Sequence, residues 1–286
     1  MSRFKSWVRP NFLLISLTFA GACGGDDGPG PASNDHDGGT KLDSGQDGDR
    51  SDGGDTTTAP PLPTPDWDAA QPLEGPPVGY SYVEKKGSFK LIEPAALASA
   101  YGVLAADTQD VRLFYNDLQS ADAGAGVEYG SVFYDGSISY QYPESKGFFR
   151  IARSTEDALT YVSEPFDYVL KAWVPGPDAD RGYLLQLSAT QAIWAASFSA
   201  DFTSIEQGRL QAAVLPSEAK SAPLALDPIT CLLVCSNPTA CGGGLEHLSD
   251  LLDCNGAKLK VDTNADGKAD AYELRIEFTS ERVGAQ

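Results

Sequence analysis

Val132-Phe133-Tyr134-Asp135-Gly136-Ser137-Ile138-Ser139-Tyr140 is the stretch that says most about the fold. Val132 and Tyr134 before the Asp-Gly pair, and Ile138 and Tyr140 after it, keep a period of two. That is the period of a strand with one buried face. Asp-Gly between two such runs predicts a tight antiparallel hairpin, because the favoured two-residue turn needs positive φ at its centre. The same period recurs along the chain. Tyr80 and Tyr82, then Phe89 and Leu91, suggest an opening hairpin with Gly87 in its turn. Val111, Leu113 and Tyr115 alternate, and Phe166, Tyr168, Leu170 and Ala172 share one face. Trp194, Ala196, Phe198, Ala200 and Phe202 form a longer run, and Leu210, Ala212 and Val214 return after a turn at Gln207-Gly208. Short strands separated by Gly, Pro and Asp turns predict a mainly β domain, an antiparallel β-sandwich or a barrel. Two short helices are expected beside it. One runs from Pro94 to Ala106, and the other covers Leu245 to Leu252 with its leucines on one side. Gly124-Ala125-Gly126 misses the dinucleotide fingerprint and reads as a loop.

Upstream of these strands the composition changes. From Gly24 to about Thr58 the chain is mostly Gly, Asp, Ser and Thr, followed by Pro60, Pro61, Pro63 and Pro65. So few apolar side chains cannot offset the entropy of ordering, and the prolines favour an extended stretch. Residues 23–77 are therefore expected to be a tether and residues 78–286 the folded domain. A flexible stretch of about 35 residues, such as that from Gly24 to Thr58, reaches roughly 30 to 35 Å. The charge follows this division. Forty acidic residues against 21 basic give a net charge of -19, much of it in the tether. Such a surface repels phosphate backbones and argues against nucleic acid as a partner.

The first residues have the layout of an export signal. Arg3, Lys5 and Arg9 precede the apolar stretch from Phe12 to Ala20, and the small residues Ala20, Gly21 and Ala22 lead into Cys23. This apolar stretch is too short for a permanent membrane span. Small residues ending at a cysteine resemble the lipobox of bacterial lipoproteins, with Ala20 where that family usually carries leucine. The resemblance covers about the first two dozen residues. It implies removal of 1–22, a lipid on Cys23, and membrane attachment through that lipid, at a periplasmic face or the cell surface. The alternative is an ordinary signal cut after Ala22. A Gly/Asp-rich stalk after such a box is similar to those of myxobacterial lipoproteins. Lipidation of Cys23 would leave Cys231, Cys235, Cys241 and Cys254, an even set for an oxidising compartment. Zinc would ask for two close pairs, and only Cys231 and Cys235 have that spacing, so two disulfides are favoured. Three connectivities are possible.

Asp262-Thr263-Asn264-Ala265-Asp266-Gly267-Lys268-Ala269-Asp270-Ala271-Tyr272-Glu273 places oxygen donors at positions one, three, five, nine and twelve, with glycine at six. Calcium takes six to eight oxygens, and alternate residues of a tight loop can supply them. The pattern resembles the calcium loops of EF-hands, dockerins, thrombospondin type 3 repeats and integrin propellers. That resemblance implies Asp262, Asn264, Asp266, the Lys268 carbonyl, Asp270 and Glu273 as ligands of a structural calcium. Downstream, Tyr272, Leu274, Ile276 and Phe278 alternate as a strand. A strand flank makes Asp262, Asn264, Asp266 and Asp270 the firmer ligands and puts Glu273 in doubt.

Catalytic signatures are sparse. His36 lies in the tether, His247 on a short amphipathic helix beside leucines, and no nucleophile elbow, paired zinc histidines or phosphate loop occurs. The expected role is a non-enzymatic, lipid-anchored envelope protein with a calcium-stabilised β domain, binding a polysaccharide or an envelope protein or serving a structural part. The runner-up is a tethered carbohydrate-active hydrolase using a carboxylate pair, with aromatics such as Trp173 as a sugar platform.

Overall fold

A computed structural model of the chain describes Leu62 and residues 65–95, 111–140, 146–178 and 181–284. The export signal, Cys23, nearly all of the tether and the helix expected beyond Ala95 lie outside the described residues.

The strands are β1 (Ser81–Glu84), β2 (Lys90–Glu93), β3 (Val111–Ser120), β4 (Ala125–Tyr134), β5 (Ile138–Tyr140), β6 (Gly147–Arg153), β7 (Thr160–Ser163), β8 (Phe166–Asp178), β9 (Arg181–Phe198), β10 (Ser204–Val214), β11 (Pro223–Leu226), β12 (Leu245–His247) and β13 (Tyr272–Val283). Eight of them, β1, β3, β4, β6, β7, β9, β10 and β13, pair in that order and all antiparallel. β13 then returns to β1, with Ser81 opposite Val283. This closure makes the sheet a barrel rather than a sandwich, and the ring exposes no edge to other chains.

The predicted Asp-Gly hairpin is present, with Val132 opposite Tyr140 and Tyr134 opposite Ile138. The loop is three residues long, Asp135 to Ser137, rather than the favoured two-residue turn, and of its residues Gly136 alone takes positive φ, +103°. The hairpin's apolar face does not enter the barrel. Val132, Tyr134 and Ile138 join Val83, Tyr115 and Val283 in a small cluster separate from the main core.

Four expectations are corrected. β1 and β2 do not form a hairpin with each other. Both pair with the same side of β13, β2 at Arg275–Glu277 and β1 at Ser280–Val283. Ser88, in the turn between them, exchanges hydrogen bonds with Thr279 instead. The turn between β9 and β10 is at Ser199–Thr203 and not at Gln207-Gly208. Asp201 builds it by accepting from Thr203 N–H, Thr203 Oγ1 and Ser199 Oγ. The Thr203 hydroxyl, followed by that of Ser199, pulls the Asp201 carboxyl down to about 2. The ladder slips between Ile205 and Gly208, a bulge at which Gly208 leaves room for the ring of Phe278. The glycine there records a close approach inside the barrel rather than a chain reversal. Leu245–His247 is a short strand paired with β11, and the helix starts only at Leu248. Finally, Ala125 and Gly126 belong to β4 and are not loop residues. Gly124 has φ of +65° and lies against the Ile151 carbonyl.

Alternate residues of the ring point inward and fill it. Trp194, Tyr82, Tyr161, Phe198, Ile151 and Leu118 are all but fully buried. The folded chain joins this core before Val78, because Leu73 packs against it and its N–H donates to Gly124 O at 2.8 Å. β9 runs past the ring, and its first half pairs with β8. β8 brings Tyr168 over the interior, where it packs at 5.3 Å from Tyr129. The Tyr129 hydroxyl accepts from Val169 N–H, and Ser131 Oγ donates to Lys171 O, which fixes β8 on β4.

A second, smaller core is built by β11, β12, two helices and the 3-10 turn Pro238–Gly243, while the short helix that precedes them buries Ala219 in the main core. α1 (Pro216–Ser221) leads into β11, α2 (Pro228–Val234) is capped by the Asp227 carboxylate, and α3 (Leu248–Cys254) follows β12. Leu224, Leu226, Val234, Leu245 and Leu251 are buried together there with the four cysteines. Ile229, Leu232 and Leu233 of α2 point outward and are exposed.

Glu84 is the one carboxylate among the buried side chains of the described residues. It accepts from the N–H groups of Leu113 and Phe114 at 3.1 and 3.3 Å, where the β3–β4 ladder slips between Arg112 and Tyr115. Burial pushes its carboxyl from 4.5 to about 7, against the pull of those two N–H groups and Arg112. A carboxyl with a raised folded pKa favours the fold while protonated. Its stabilising contribution is full below pH 4.5 and lost as pH rises to about 7. Glu84→Gln keeps an acceptor for both N–H groups and removes the charge. Urea titrations across this window should therefore show wild-type stability falling relative to Glu84→Gln by up to about 3 kcal/mol. Parallel profiles for the two proteins would mean that Glu84 is ionised in the fold without penalty.

Candidate metal loop and barrel interior

The Asp-rich loop is closed at its base by the antiparallel bridge between Val261 and Ala271, directly before β13. Inside it the carboxylates organise the backbone. Asp262 accepts from Asn264 N–H and Asp266 N–H at 3.3 Å each and from Gly267 N–H at 2.6 Å. Asn264 Oδ1 accepts from Asp266 N–H at 3.0 Å, and Asp266 accepts from Lys268 N–H at 2.9 Å. Gly267 has φ of +85°, so glycine at the sixth position is needed for the turn. The Gly267 N–H above all holds the Asp262 carboxyl below its usual range.

Asp262, Asn264 and Asp266 therefore sit on one tight turn and offer hard oxygens, the donor type calcium takes. Asp270 lies across the loop, where its two oxygens accept from Thr263 N–H and Thr263 Oγ1 at 2.8 Å each. The Lys268 backbone follows Gly267 in the turn. Glu273 is placed elsewhere. It stands on β13 between inward-facing Tyr272 and Leu274, accepts from Gln211 Nε2 at 3.3 Å and pairs with Arg275 at 3.6 Å. Among the described residues no three carboxylates of the loop come within 4.8 Å of one another, so Asp262, Asp266 and Asp270 offer the right donor type without a converged cluster, and Glu273 is engaged by Gln211 and Arg275. Gln191 ties the loop to the barrel by donating to Thr263 O at 3.0 Å. Gln191 has φ of +54°, at the place where β9 passes from its pairing with β8 to the ring.

The four cysteines form Cys231–Cys241 and Cys235–Cys254. Cys231, Cys235 and Cys241 are also the one trio of Asp, Glu, His or Cys ligand atoms within 4.8 Å of one another among the described residues. Disulfide bonding leaves them no thiolate for zinc. His247 is half-buried before α3, where Asp250 accepts from its backbone N–H and that of Glu246 at 2.9 and 3.1 Å. Trp173 stands on β8 opposite Leu184.

Sequence reasoning missed the polar groups of the barrel interior. On β3, Phe114, Asn116 and Leu118 share the inward face, and Asn116 is fully buried. The residues lining the small space beside it include Phe114, Tyr129, Phe149, Tyr168 and Trp194, and all the lining residues are uncharged. Neither Asn116 Oδ1 nor Nδ2 has a hydrogen-bond partner in the protein, and Trp194 Nε1 has none either. The signal was present: an asparagine two residues from an apolar neighbour on each side.

Comparison with protein-family profiles, with curated proteins and with solved structures finds no match to this chain.

Proposed function

We propose that this is an exported, lipid-anchored envelope or surface protein. Its barrel serves as a binding or structural module, and its Asp262–Asp270 loop takes one structural calcium. The observation that carries the export reading is the cysteine pairing. All four cysteines of the folded region are disulfide-bonded, as an oxidising compartment allows, and the fifth, Cys23, ends the apolar N-terminal segment. No helix among the described residues is long and apolar enough to cross a membrane. A lipid on Cys23 supplies attachment without one, since each buried methylene contributes about 0.8 kcal/mol and two chains anchor stably. The filled interior supports binding or scaffolding over a tethered hydrolase. A glycosidase needs two carboxylates about 5 to 10 Å apart in a cleft, whereas Glu84 is the one buried carboxylate among the described residues and is held by backbone N–H groups.

Cys23→Ala is expected to release the protein from the membrane fraction and abolish labelling by fatty-acid precursors. Unchanged fractionation of the variant would refute the anchor. The metal reading is tested on the purified protein by melting with calcium and with chelator. Calcium at 100 times its dissociation constant should add about 2.7 kcal/mol, and Asp262→Ala or Asp266→Ala should erase the difference. Asp270→Ala should weaken it, at the cost of the Thr263 contacts. Glu273→Ala should leave it in place, because Glu273 is engaged by Gln211 and Arg275. Identical melting with calcium and with chelator would reduce the loop to a turn.

A further inference from the structure

We propose that the barrel interior is a binding site for a small, uncharged, planar ligand with an amide-like edge, read by Asn116 and Trp194. The site is separate from the Cys23 anchor and from the Asp-rich loop, and it stands whether or not either of those assignments holds.

Two buried residues of the interior carry polar atoms with no hydrogen-bond partner in the protein. Asn116 is 0 % exposed and Trp194 is 1 % exposed. A buried polar group without a partner costs about 1–3 kcal/mol, and an apolar side chain at Asn116 would avoid that cost against these aromatic walls. The two residues belong to strands on opposite sides of the ring, β3 and β9, and both line the same small interior space. Together they present one acceptor, Asn116 Oδ1, and donors from Asn116 Nδ2 and Trp194 Nε1. A donor beside an acceptor is what a lactam or a nucleobase-like edge matches with two hydrogen bonds. The walls set the remainder of the ligand. Phe149 and Phe166 stack at 4.4 Å, and Phe149 lies 5.5 Å from Trp194. Flat rings favour a flat ligand. A carboxylate or phosphate is excluded, because the lining carries no charge to pair with it.

As it stands the space admits about one water molecule. Entry of a ring therefore needs an aromatic side chain to swing out. Phe166 is placed for this. It is half-buried at the start of β8, where the β8–β9 register shifts between Phe166 and Tyr168. An eight-stranded barrel is wide enough to hold one small ligand once such a side chain has moved.

The test titrates the purified, full mature protein with 2-pyridone, a planar lactam, and follows binding by calorimetry. Toluene has the flat body without the edge, and benzoate adds a charge. We expect saturable binding of 2-pyridone, with both controls weaker by about tenfold or more. Asn116→Leu should lose about tenfold or more in affinity, and Trp194→Phe, which keeps a ring and removes the donor, should lose affinity as well. A second readout needs no ligand. If Asn116 is there to meet a ligand, Asn116→Leu removes unpaired polar atoms and raises the melting temperature of the ligand-free protein. A lowered melting temperature with Trp194→Phe binding 2-pyridone as wild type does would make Asn116 a structural group holding a water, and would overturn the proposal. Equal binding of toluene, equal binding of benzoate, or no saturable binding of 2-pyridone would also overturn it.

Discussion

Truncating Phe278 to alanine is expected to destabilise the barrel by about 3–5 kcal/mol. Phe278 is 2 % exposed on β13 and stacks on Phe114 with ring centroids 4.3 Å apart. Gly208 on β10 has no side chain, and the Phe278 ring occupies the room this leaves. The space left by the ring would thus be bounded by a glycine that cannot fill it and by a β ladder that cannot collapse without losing hydrogen bonds, so the loss should fall at the upper end of the range. The neighbouring Glu277 faces outward and only approaches Arg209, at 3.9 Å. Glu277→Ala is a control expected to stay within about 0.5 kcal/mol. Urea unfolding of the two variants checks this. A loss below about 1 kcal/mol for Phe278→Ala would mean that the interior is not packed as described.

Removing the disulfides is expected to have a comparable effect in a different place. Their cysteines are 10 and 19 residues apart, and loop closure in the unfolded chain assigns each bond about 3 kcal/mol. The small core they cross is short of apolar surface, with Leu224, Leu226, Val234, Leu245 and Leu251 as its main aliphatic members. The adjoining α2 spends three apolar side chains, Ile229, Leu232 and Leu233, on its exposed side. Without cross-links this segment should open while the barrel persists, because the ring closes through β10, β13 and β1 and includes none of residues 223–256. Hydrogen exchange in reductant should show residues 223–256 losing protection and β10 and β13 keeping theirs. Simultaneous loss in both would show that the disulfide-linked core is integral to the barrel.

The strands were readable where one face is apolar and the turn carries its own chemistry. The Asp135-Gly136 hairpin is the example, since its pairing follows from local residues, although its loop includes Ser137 as a third residue. Closure of the barrel was not readable, because it depends on β1 meeting β13 across nearly the whole folded domain. For the same reason the segments around Tyr82 and Leu91 read as partners of each other: their shared partner lies almost 200 residues away. Glycine misled twice. Gly208 and Gly126 look like turn residues, yet each leaves room for an aromatic ring, that of Phe278 and that of Phe148. Within the calcium pattern, the strand period after Tyr272 set Glu273 apart from the loop, and the fold engages it with Gln211 and Arg275. The disulfide pairing could not be read from spacing and became visible only with the fold. Asn116 was readable from the apolar residues two positions away on each side, whereas Glu84 was missed because a single polar residue at the end of a strand carries no motif.

The export and anchoring proposal is tested most directly by the intact mass of the N-terminal peptide of the protein taken from native membranes. The expected mass is that of a chain beginning at Cys23, with lipid on its sulfur and an acyl group on its amine. A chain that begins at Cys23 with neither group, or one that keeps residues 1–22, would contradict it.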